Sequence, residues 1–457
     1  MKATSAILAL IVIGLSAMIN LVTDAQWTWV PGGLAALFFI IVEWTRLARP
    51  ARILFAVLIC IAVTVSLTVP EPVALLHLAT QRAVYLGYFV LAMGVLQATA
   101  ASSALVHRSG HVLVSQKPGR RYAALTFGGA LFGLPLSVGA VGLLGTMIRH
   151  GIGDPKERVA AIRLRRMTTA LLRGVASVPL WSPTSISIPI ILLSMPDLTW
   201  LKILSHSGIL AVSFLGIGWL LDRLTNPRVA PASAGTAALS LTALGPFLAL
   251  LGSLLVVVIA VAQALDLSIV SANILLAPGV SLLWQFVQQR GRGAQKPARE
   301  ALQVMSSDIL PSLRNMRSEF TIFAVSGALG VLIIPLVDAK ALGEAILPYA
   351  SSGGAALALA YVFVVLTGIV GLNPIVSVTL AIGILTRMET FDFRHIDIAM
   401  VLLCAWATTV TISPFTSNVR LTALAVGVDP NKVGPRWNLG FIAIIAALVI
   451  GGCFVLL

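Results

Sequence analysis

Two stretches of this chain are near-copies of each other, and each carries proline within an otherwise apolar helical pattern. The first is LLRGVASVPLWSPTSISIPI, Leu171–Ile190, and the second is LLCAWATTVTISPFTSNVRL, Leu402–Leu421. Each begins with Leu-Leu and reaches a Ser-Pro pair that Thr and Ser follow closely. Because proline removes a backbone donor and clashes with the carbonyl one turn earlier, it interrupts a helix. The pattern therefore predicts two interrupted helices at corresponding positions of a repeated chain.

A second pair of matched stretches precedes the first. These are GLPLSVGAVGLLGTMIR, Gly133–Arg149, and GLNPIVSVTLAIGILTR, Gly371–Arg387. Each places glycine and proline in the middle of an apolar segment, 123–148 and 354–386. Backbone that turns at membrane depth is tolerated where it is buried in protein or lines a wet cavity. We therefore expect two re-entrant hairpins.

The composition predicts a membrane protein. Hydrophobic residues make up 58% of the 457 positions and charged residues only 11%, against about 25% in a soluble domain. The expected fold is an all-α polytopic membrane protein of about eleven spans plus the two hairpins, arranged in two inverted-topology repeats. We interpret the first apolar run as a retained helix. The expected spans are 5–22, 29–43, 53–69, 84–106, 167–196, 204–221, 238–264, 268–287, 320–337, 397–427 and 438–457.

The basic residues predict the topology. With a cytoplasmic N-terminus, most of the 31 Lys and Arg residues fall in cytoplasmic loops, as the positive-inside rule requires. The few expected outside are Arg82, Lys202, Lys340, Arg387 and Arg394. In this topology the C-terminus is outside, and the protein lies in the inner (cytoplasmic) membrane. The loop placement of the charge argues against nucleic acid as a partner.

The same topology divides the chain into four parts. Residues 1–28 form a first helix outside the repeats, and 29–221 form the N-terminal repeat, with hairpin 123–148 and broken helix 167–196. A Pro- and Ser-containing cytoplasmic linker, 222–237, leads to the inverted C-terminal repeat, 238–457, with hairpin 354–386 and broken helix 397–427. The amphipathic segment Pro297–Glu319 is predicted to lie on the cytoplasmic surface.

This organisation resembles the ion transporter superfamily. That group includes the divalent anion/sodium symporters, arsenite permeases and the large membrane subunits of binding-protein-dependent carriers. The resemblance is carried by Gly133-Leu134-Pro135, Gly371-Leu372-Asn373-Pro374, Ser182-Pro183-Thr184-Ser185 and Ser413-Pro414-Phe415-Thr416-Ser417-Asn418. Val419 follows Ser417-Asn418, whereas the sodium-coupled dicarboxylate branch carries Ser-Asn-Thr. The resemblance implies an elevator-like motion and a homodimer formed through the scaffold.

The breaks are the candidate binding site. At a break, exposed amides suit an anion and exposed carbonyls suit a cation. Small hydroxyls and amides surround them, and these groups can donate to a carboxylate or ligate Na⁺ through oxygen. The candidate residues are Gly133, Pro135, Ser137, Ser182, Thr184, Ser185, Asn373, Pro374, Ser377, Ser413, Thr416, Ser417, Asn418 and Arg420.

Two arginines fall within spans, and charge at membrane depth suggests function. Arg420 and Arg173 could each pair with an anionic solute, or each could extend to the cytoplasmic interface. No Asp or Glu occurs in the four matched stretches. A proton-coupled carrier usually needs a titratable intramembrane group, so Na⁺ is favoured over H⁺ as the coupling ion.

We therefore predict a secondary active transporter of a small, anionic solute, a carboxylate or oxyanion, without a cofactor. An efflux permease for a toxic oxyanion shares the fold and stays open. So does a carrier subunit, which would require a periplasmic binding protein and a small membrane subunit. A membrane-embedded enzyme is disfavoured, because no nucleophile–base pair, metal-ligand cluster or paired carboxylates occur in the apolar segments; the three cysteines have no metal-ligand spacing and are interpreted as core residues.

Overall fold

The computed structural model describes residues 2–152, 157–225, 239–336, 338, 341, 348–350, 352–388 and 390–456. The first half contains α1 (Lys2–Thr23), α2 (Trp29–Glu43), α3 (Arg49–Thr68), α4 (Pro72–Ala101), α5 (Ala104–Val114), α6 (Pro118–Leu136), α7 (Gly139–His150), α8 (Arg158–Ala176), α9 (Val178–Trp181), α10 (Ser187–Ser194) and α11 (Trp200–Thr225). The second half contains α12 (Gly245–Ala264), α13 (Ile269–Gly291), α14 (Pro297–Val304), α15 (Leu310–Ser312), α16 (Arg317–Leu332), α17 (Gly353–Val370), α18 (Pro374–Leu385), α19 (His395–Ile412), α20 (Ser417–Val426) and α21 (Trp437–Leu456).

The described ranges contain helices and no strand. Ten helical segments there are long and apolar enough to cross a membrane. The prediction of an all-α polytopic membrane protein is therefore confirmed.

Several observed helices differ from the membrane spans predicted from the sequence. Segment 167–196 lies in three helices, α8 to α10, because hydroxyl and proline residues interrupt it at 177 and again at 182–186. The segment predicted at 320–337 is α16, which has only 16 residues. In contrast α17, predicted as a hairpin arm, has 18 residues and is apolar enough to count as a span.

The structure describes the predicted surface segment in full and the predicted linker only in part. The predicted surface segment Pro297–Glu319 begins as α14 and continues through a π-helical turn, Met305–Ile309, to α15 and a 3-10 turn. Of the predicted linker 222–237, residues 222–225 belong to the end of α11. The remainder, 226–237, lies outside the described residues.

The chain forms two compact units. The first unit comprises Met1–Ala100 and Val256–Leu342. Within it, Phe39 and Phe320 meet edge to face, with ring centroids 5.2 Å apart. Glu43 at the end of α2 is buried, and its carboxylate accepts hydrogen bonds from Nε and Nη2 of Arg314. This ion pair fastens the segment before α16 to α2.

The second unit comprises Ala101–Leu255 and Gly343–Leu457, and it contains all four predicted breaks. Glycine residues let its helices approach each other closely. A Cβ placed on Gly174 of α8 would lie 2.2 Å from the carbonyl oxygen of Thr126 in α6. A Cβ placed on Gly368 of α17 would lie 2.1 Å from Cγ2 of Thr409 in α19. In both repeats, the first arm of the hairpin therefore packs tightly on the first part of the interrupted helix.

Candidate functional site

The first hairpin turns at Ser137, just after the predicted Gly-Leu-Pro stretch. Helix α6 includes Pro135 and ends at Leu136, and Ser137 adopts φ +47°. A Cβ on Gly128 of α6 would meet Leu113 of α5, and one on Gly110 of α5 would meet Leu144 of α7. Residues before and after the break therefore contact neighbouring turns of one short helix, and α6 and α7 fold back on each other as a hairpin.

The second hairpin turns through a helix stop followed directly by a helix start. Gly371 adopts φ +108°, its N–H donates to Gly368, and the Leu372 N–H donates to Thr367 at 2.9 Å. This is the Schellman arrangement, which needs glycine at the left-handed position. Asn373 then caps α18, accepting from the Ile375 N–H at 3.0 Å, with Pro374 at the first helical position.

The first interrupted helix is closed by its own hydroxyl groups. Ser182 accepts from the Thr184 N–H at 3.2 Å, and the two hydroxyls lie 2.7 Å apart. Ser187 at the start of α10 donates to the Pro179 carbonyl at 2.7 Å, and Ser185 lies 3.0 Å from Ser187. The hydroxyls of this break therefore satisfy groups of the same break.

The second interrupted helix is joined to the second hairpin. Ser413 donates through Oγ to the Gly368 carbonyl at 2.7 Å, and the same oxygen accepts from the Phe415 N–H at 3.2 Å. The Phe415 ring lies against Gly371, where a Cβ would be 3.4 Å from Cγ of the ring. The break between α19 and α20 and the turn between α17 and α18 are thus one assembly.

The repeats contact each other through the second arms of the hairpins. Helix α7 packs along α20, and α18 packs against α10. Gly145 of α7 lies so close to α20 that its added Cβ would be 2.8 Å from Cβ of Ala425. Each hairpin therefore lies on its own interrupted helix with one arm and on the interrupted helix of the other half with its second arm.

The candidate residues divide by exposure. Gly133, Pro135, Ser182, Pro374, Ser377 and Ser413 are buried, and Thr184, Ser185, Asn373 and Thr416 are half-buried. Gly133 packs against Val178, and the Ser377 hydroxyl lies 3.5 Å from the carbonyl of Pro374. Ser137, Ser417 and Arg420 are exposed. Within the described residues, no hydrogen bond joins a candidate of one repeat to a candidate of the other.

The open polar groups concentrate at the start of α20. Thr416 occupies the N-cap position, and its hydroxyl donates to the Ser413 carbonyl at 2.9 Å. Asn418 is buried to 7% exposure, and across the described parts of the chain its carboxamide makes no hydrogen bond. Ser417 and Arg420 lie on the exposed face of the same helix. The first amides of a helix, an open carboxamide and a guanidinium together favour an anion.

Arg173 is not part of this site. Its guanidinium is buried and donates to Asn438 Oδ1 at 2.9 Å, to the Tyr122 hydroxyl at 2.8 Å and to the Gly218 carbonyl. It also lies 4.3 Å from the centre of the Phe441 ring. Neither prediction for Arg173 holds, because these groups replace water around the charge and leave no need for a solute or the interface.

The partners of Arg173 were not predicted from the sequence. Asn438 is buried near the start of α21, where its amide also donates to Val433 and Gly434 in a second π-helical turn, Lys432–Arg436. A polar residue inside an apolar run was the available signal. Its link to Arg173, 265 positions away, depends on the packing of α8 against α21.

Solved structures include chains that are similar to this one. The chain is similar to the YdaH transporter of Alcanivorax borkumensis, described as having an unusual topology, with 16% sequence identity and a TM-score of 0.44. The match covers 80% of this chain and 85% of that chain. No family model and no curated protein matches the chain. Membership of the ion transporter superfamily remains a prediction from sequence.

Proposed function

We propose that the chain is a secondary active transporter of a small anionic solute, a carboxylate or an oxyanion. The observation that carries this proposal is the start of α20, where the buried Asn418 carboxamide lacks a partner within the described residues and Arg420 lies on an exposed face without an ion pair there. The Asn418 carboxamide is not among the fully enclosed side-chain groups that lack a hydrogen bond, so its N–H donors are accessible to a partner from solution. An anion at the helix terminus would supply that partner.

Alternating access is supported by the way the repeats interlock. The second unit contains both hairpins and both interrupted helices. Because each hairpin packs on elements of both repeats, the four breaks belong to one packed body. We propose that this body moves as a whole in an elevator-type cycle, carrying the solute with it.

Sodium is the proposed coupling ion. The four matched stretches contain hydroxyls, amides and interrupted-helix carbonyls, and no Asp or Glu. Oxygen ligands of this kind bind Na⁺ without titrating, whereas proton coupling usually uses a titratable group. The Na⁺ concentration should therefore change solute affinity more than pH does.

The experiment is a thermal-unfolding screen of the purified chain against small carboxylates and oxyanions, in Na⁺ and in matched K⁺. A ligand that binds only the folded state raises the unfolding midpoint, and the shift grows with the ratio of ligand concentration to Kd. We expect at least one anion to stabilise the chain in Na⁺, and Asn418→Ala to abolish this shift. Asn431→Ala, at the exposed residue that precedes the π-helical turn Lys432–Arg436, is the matched control and should retain it. Equal stabilisation of wild type and Asn418→Ala would overturn the site, and equal shifts in Na⁺ and K⁺ would overturn the coupling ion.

The inverted arrangement has its own test. If the first hairpin enters from the cytoplasm and the second from outside, cysteines replacing Arg149 and Arg387 should react with an impermeant maleimide from opposite sides of sealed vesicles. Labelling of both from one side would contradict the inverted topology, whatever the solute screen shows.

A further inference from the structure

Four basic residues gather where α13 ends and α14 begins: Arg290, Arg292, Lys296 and Arg299. All four side chains are exposed, and in the described ranges none forms an ion pair or a side-chain hydrogen bond. Glu300 is the only acidic residue between Asp266 and Asp308. The cluster, which we name the basic surface, therefore has a positive charge that the neighbouring sequence does not neutralise.

The basic surface continues an apolar stripe on a helix able to span the membrane. Leu283 and Val287 of α13 are 62% and 58% exposed. Arg290 follows them at the same helical spacing and so lies on the same face. The opposite face, with Trp284, Gln285 and Gln289, is buried in the protein. An exposed stripe that is apolar along the helix and cationic at its end matches a phospholipid, with an acyl chain beside Leu283 and a phosphate beside Arg290.

A tight turn keeps the other three cations near Arg290. Gly293 adopts φ +80°, its N–H donates to the Arg290 carbonyl, and the Ala294 N–H donates to the Gln289 carbonyl, both at 3.1 Å. The chain reverses there, and α14 packs back against α13. On α14 the exposed Leu302 lies one turn beyond Arg299, so a basic and an apolar side chain share one exposed face of this short helix.

Other basic residues of the first unit are arranged differently. Arg314 is hydrogen-bonded to the buried Glu43 carboxylate, and Arg317 lies 3.9 Å from it. Those two guanidinium groups share one buried carboxylate, whereas the side chains of the basic surface face outward without an acidic partner in the described ranges. We propose that the basic surface binds the headgroup phosphate of an anionic phospholipid, independently of the solute that the second unit carries.

The test uses the full chain in a neutral detergent, titrated with dioleoyl phosphatidylglycerol or dioleoyl phosphatidylcholine. Bound lipid is counted by native mass spectrometry, and the unfolding midpoint is followed in parallel. Each basic residue near a membrane surface contributes roughly one factor of five to anionic lipid binding. We expect phosphatidylglycerol to bind in preference, and replacement of all four basic residues by Gln to weaken its binding by more than about tenfold.

The matched control removes the same charge elsewhere. Lys117, Arg120, Lys432 and Arg436 are also exposed, and their replacement by Gln should change phosphatidylglycerol binding less than about twofold. Arg290→Gln alone provides a milder variant should the fourfold one fail to fold. Equal losses in the two fourfold variants, unchanged binding in both basic-surface variants, or equal stabilisation by water-soluble glycerol phosphate would each overturn the proposal.

Discussion

The two interrupted helices share a sequence pattern and differ in how their breaks are satisfied. In the first, the hydroxyls of Ser182 and Ser187 bond within the break itself. In the second, Ser413 bonds across to Gly368 in the neighbouring hairpin, and Asn418 keeps an open carboxamide. A self-contained break can hold its shape whether or not a ligand is present. A break that shares a hydrogen bond with a hairpin couples any movement of one to the other, so the C-terminal repeat is the better candidate for recognising the solute.

The turns of the two hairpins also differ in how their residues stabilise them. The second turn uses Gly371 at the left-handed position and Asn373 as a helix cap. The first turn places Ser137, a residue with a side chain, at φ +47°, and α7 begins without a side-chain cap. Such a conformation costs on the order of 1 kcal/mol in a residue other than glycine. The backbone of the first turn is therefore the more strained of the two. In the second turn, glycine and asparagine occupy positions that their conformational preferences favour.

The largest expected effect tests how tightly each hairpin lies on its interrupted helix. In Gly174→Ala, the new Cβ would meet a backbone oxygen of Thr126, which cannot move without displacing α6. We expect a loss of about 3 kcal/mol or more in the free energy of unfolding. Gly368→Ala meets the Thr409 side chain instead, and the loss should be smaller. Chemical denaturation of both variants measures the difference.

Gly142→Ala is the control for this pair, because a Cβ there meets no atom within 4 Å. It should leave unfolding unchanged or slightly improve it. If Gly174→Ala proves as mild as Gly142→Ala, the close approach of α6 to α8 is wrong.

Substitutions of the two arginines in the interrupted helices should distinguish an effect on stability from an effect on solute binding. Arg173→Gln leaves Tyr122, Asn438 and a backbone carbonyl without their shared donor. We expect it to cost about 2 kcal/mol of stability, because buried acceptors lose their partner. Arg420→Gln removes an exposed charge at the proposed anion site. It should leave the unfolding midpoint nearly unchanged and lower solute affinity about tenfold, the effect of one charged hydrogen bond.

Equilibrium unfolding and solute binding, measured on both variants, distinguish the roles. A stable Arg173→Gln chain that no longer binds solute would reverse our assignment of the two residues.

How far the sequence predicted the structure can be judged from particular residues. Gly-Leu-Asn-Pro predicts the second turn because each residue has a local reason: glycine stops α17, asparagine caps α18 and proline starts it. The first turn was placed in the right segment, but Pro135 lies inside α6 and the break comes at Ser137. One proline does not determine which neighbouring residue leaves the helix, since packing of α6 on α8 decides that.

Hydrogen bonds between residues far apart in the sequence could not be predicted from local sequence patterns. The bond from Ser413 to Gly368 joins residues 45 positions apart, and Arg173 finds Asn438 through the packing of separate helices. The sequence alone identified Ser413 and Arg173 as polar residues within apolar runs. It did not distinguish an arginine satisfied by the protein from one available to a solute, because that depends on which side chains surround it in space.

Removal of either break hydroxyl should lower stability less than Arg173→Gln does. Ser413→Ala loses the bond to the hairpin, so we expect about 1 kcal/mol of destabilisation together with impaired solute uptake in proteoliposomes. Ser182→Ala loses only a bond within its own turn, and uptake should be reduced less. Equal uptake by the two variants would show that the coupling of break to hairpin in the C-terminal repeat has no role in transport.

The smallest expected effect concerns a contact that joins the two repeats outside the apolar segments. Asp197, which follows α10, lies 2.5 Å from Nδ1 of His395 at the start of α19. Desolvation raises the pKa of the Asp197 carboxyl, but the hydrogen bond and charge of His395 outweigh it, and the net pKa is lowered. A carboxyl whose pKa is lower in the folded state contributes stability above its unfolded pKa of about 4, and that stability is lost as the pH falls through the folded value. Because both groups are largely exposed, Asp197→Asn should lower the unfolding midpoint by less than about 2 °C at pH 6, and the difference should vanish at lower pH. A difference that instead grew as the pH fell would mean that the contact between the repeats does not depend on the ionised carboxylate.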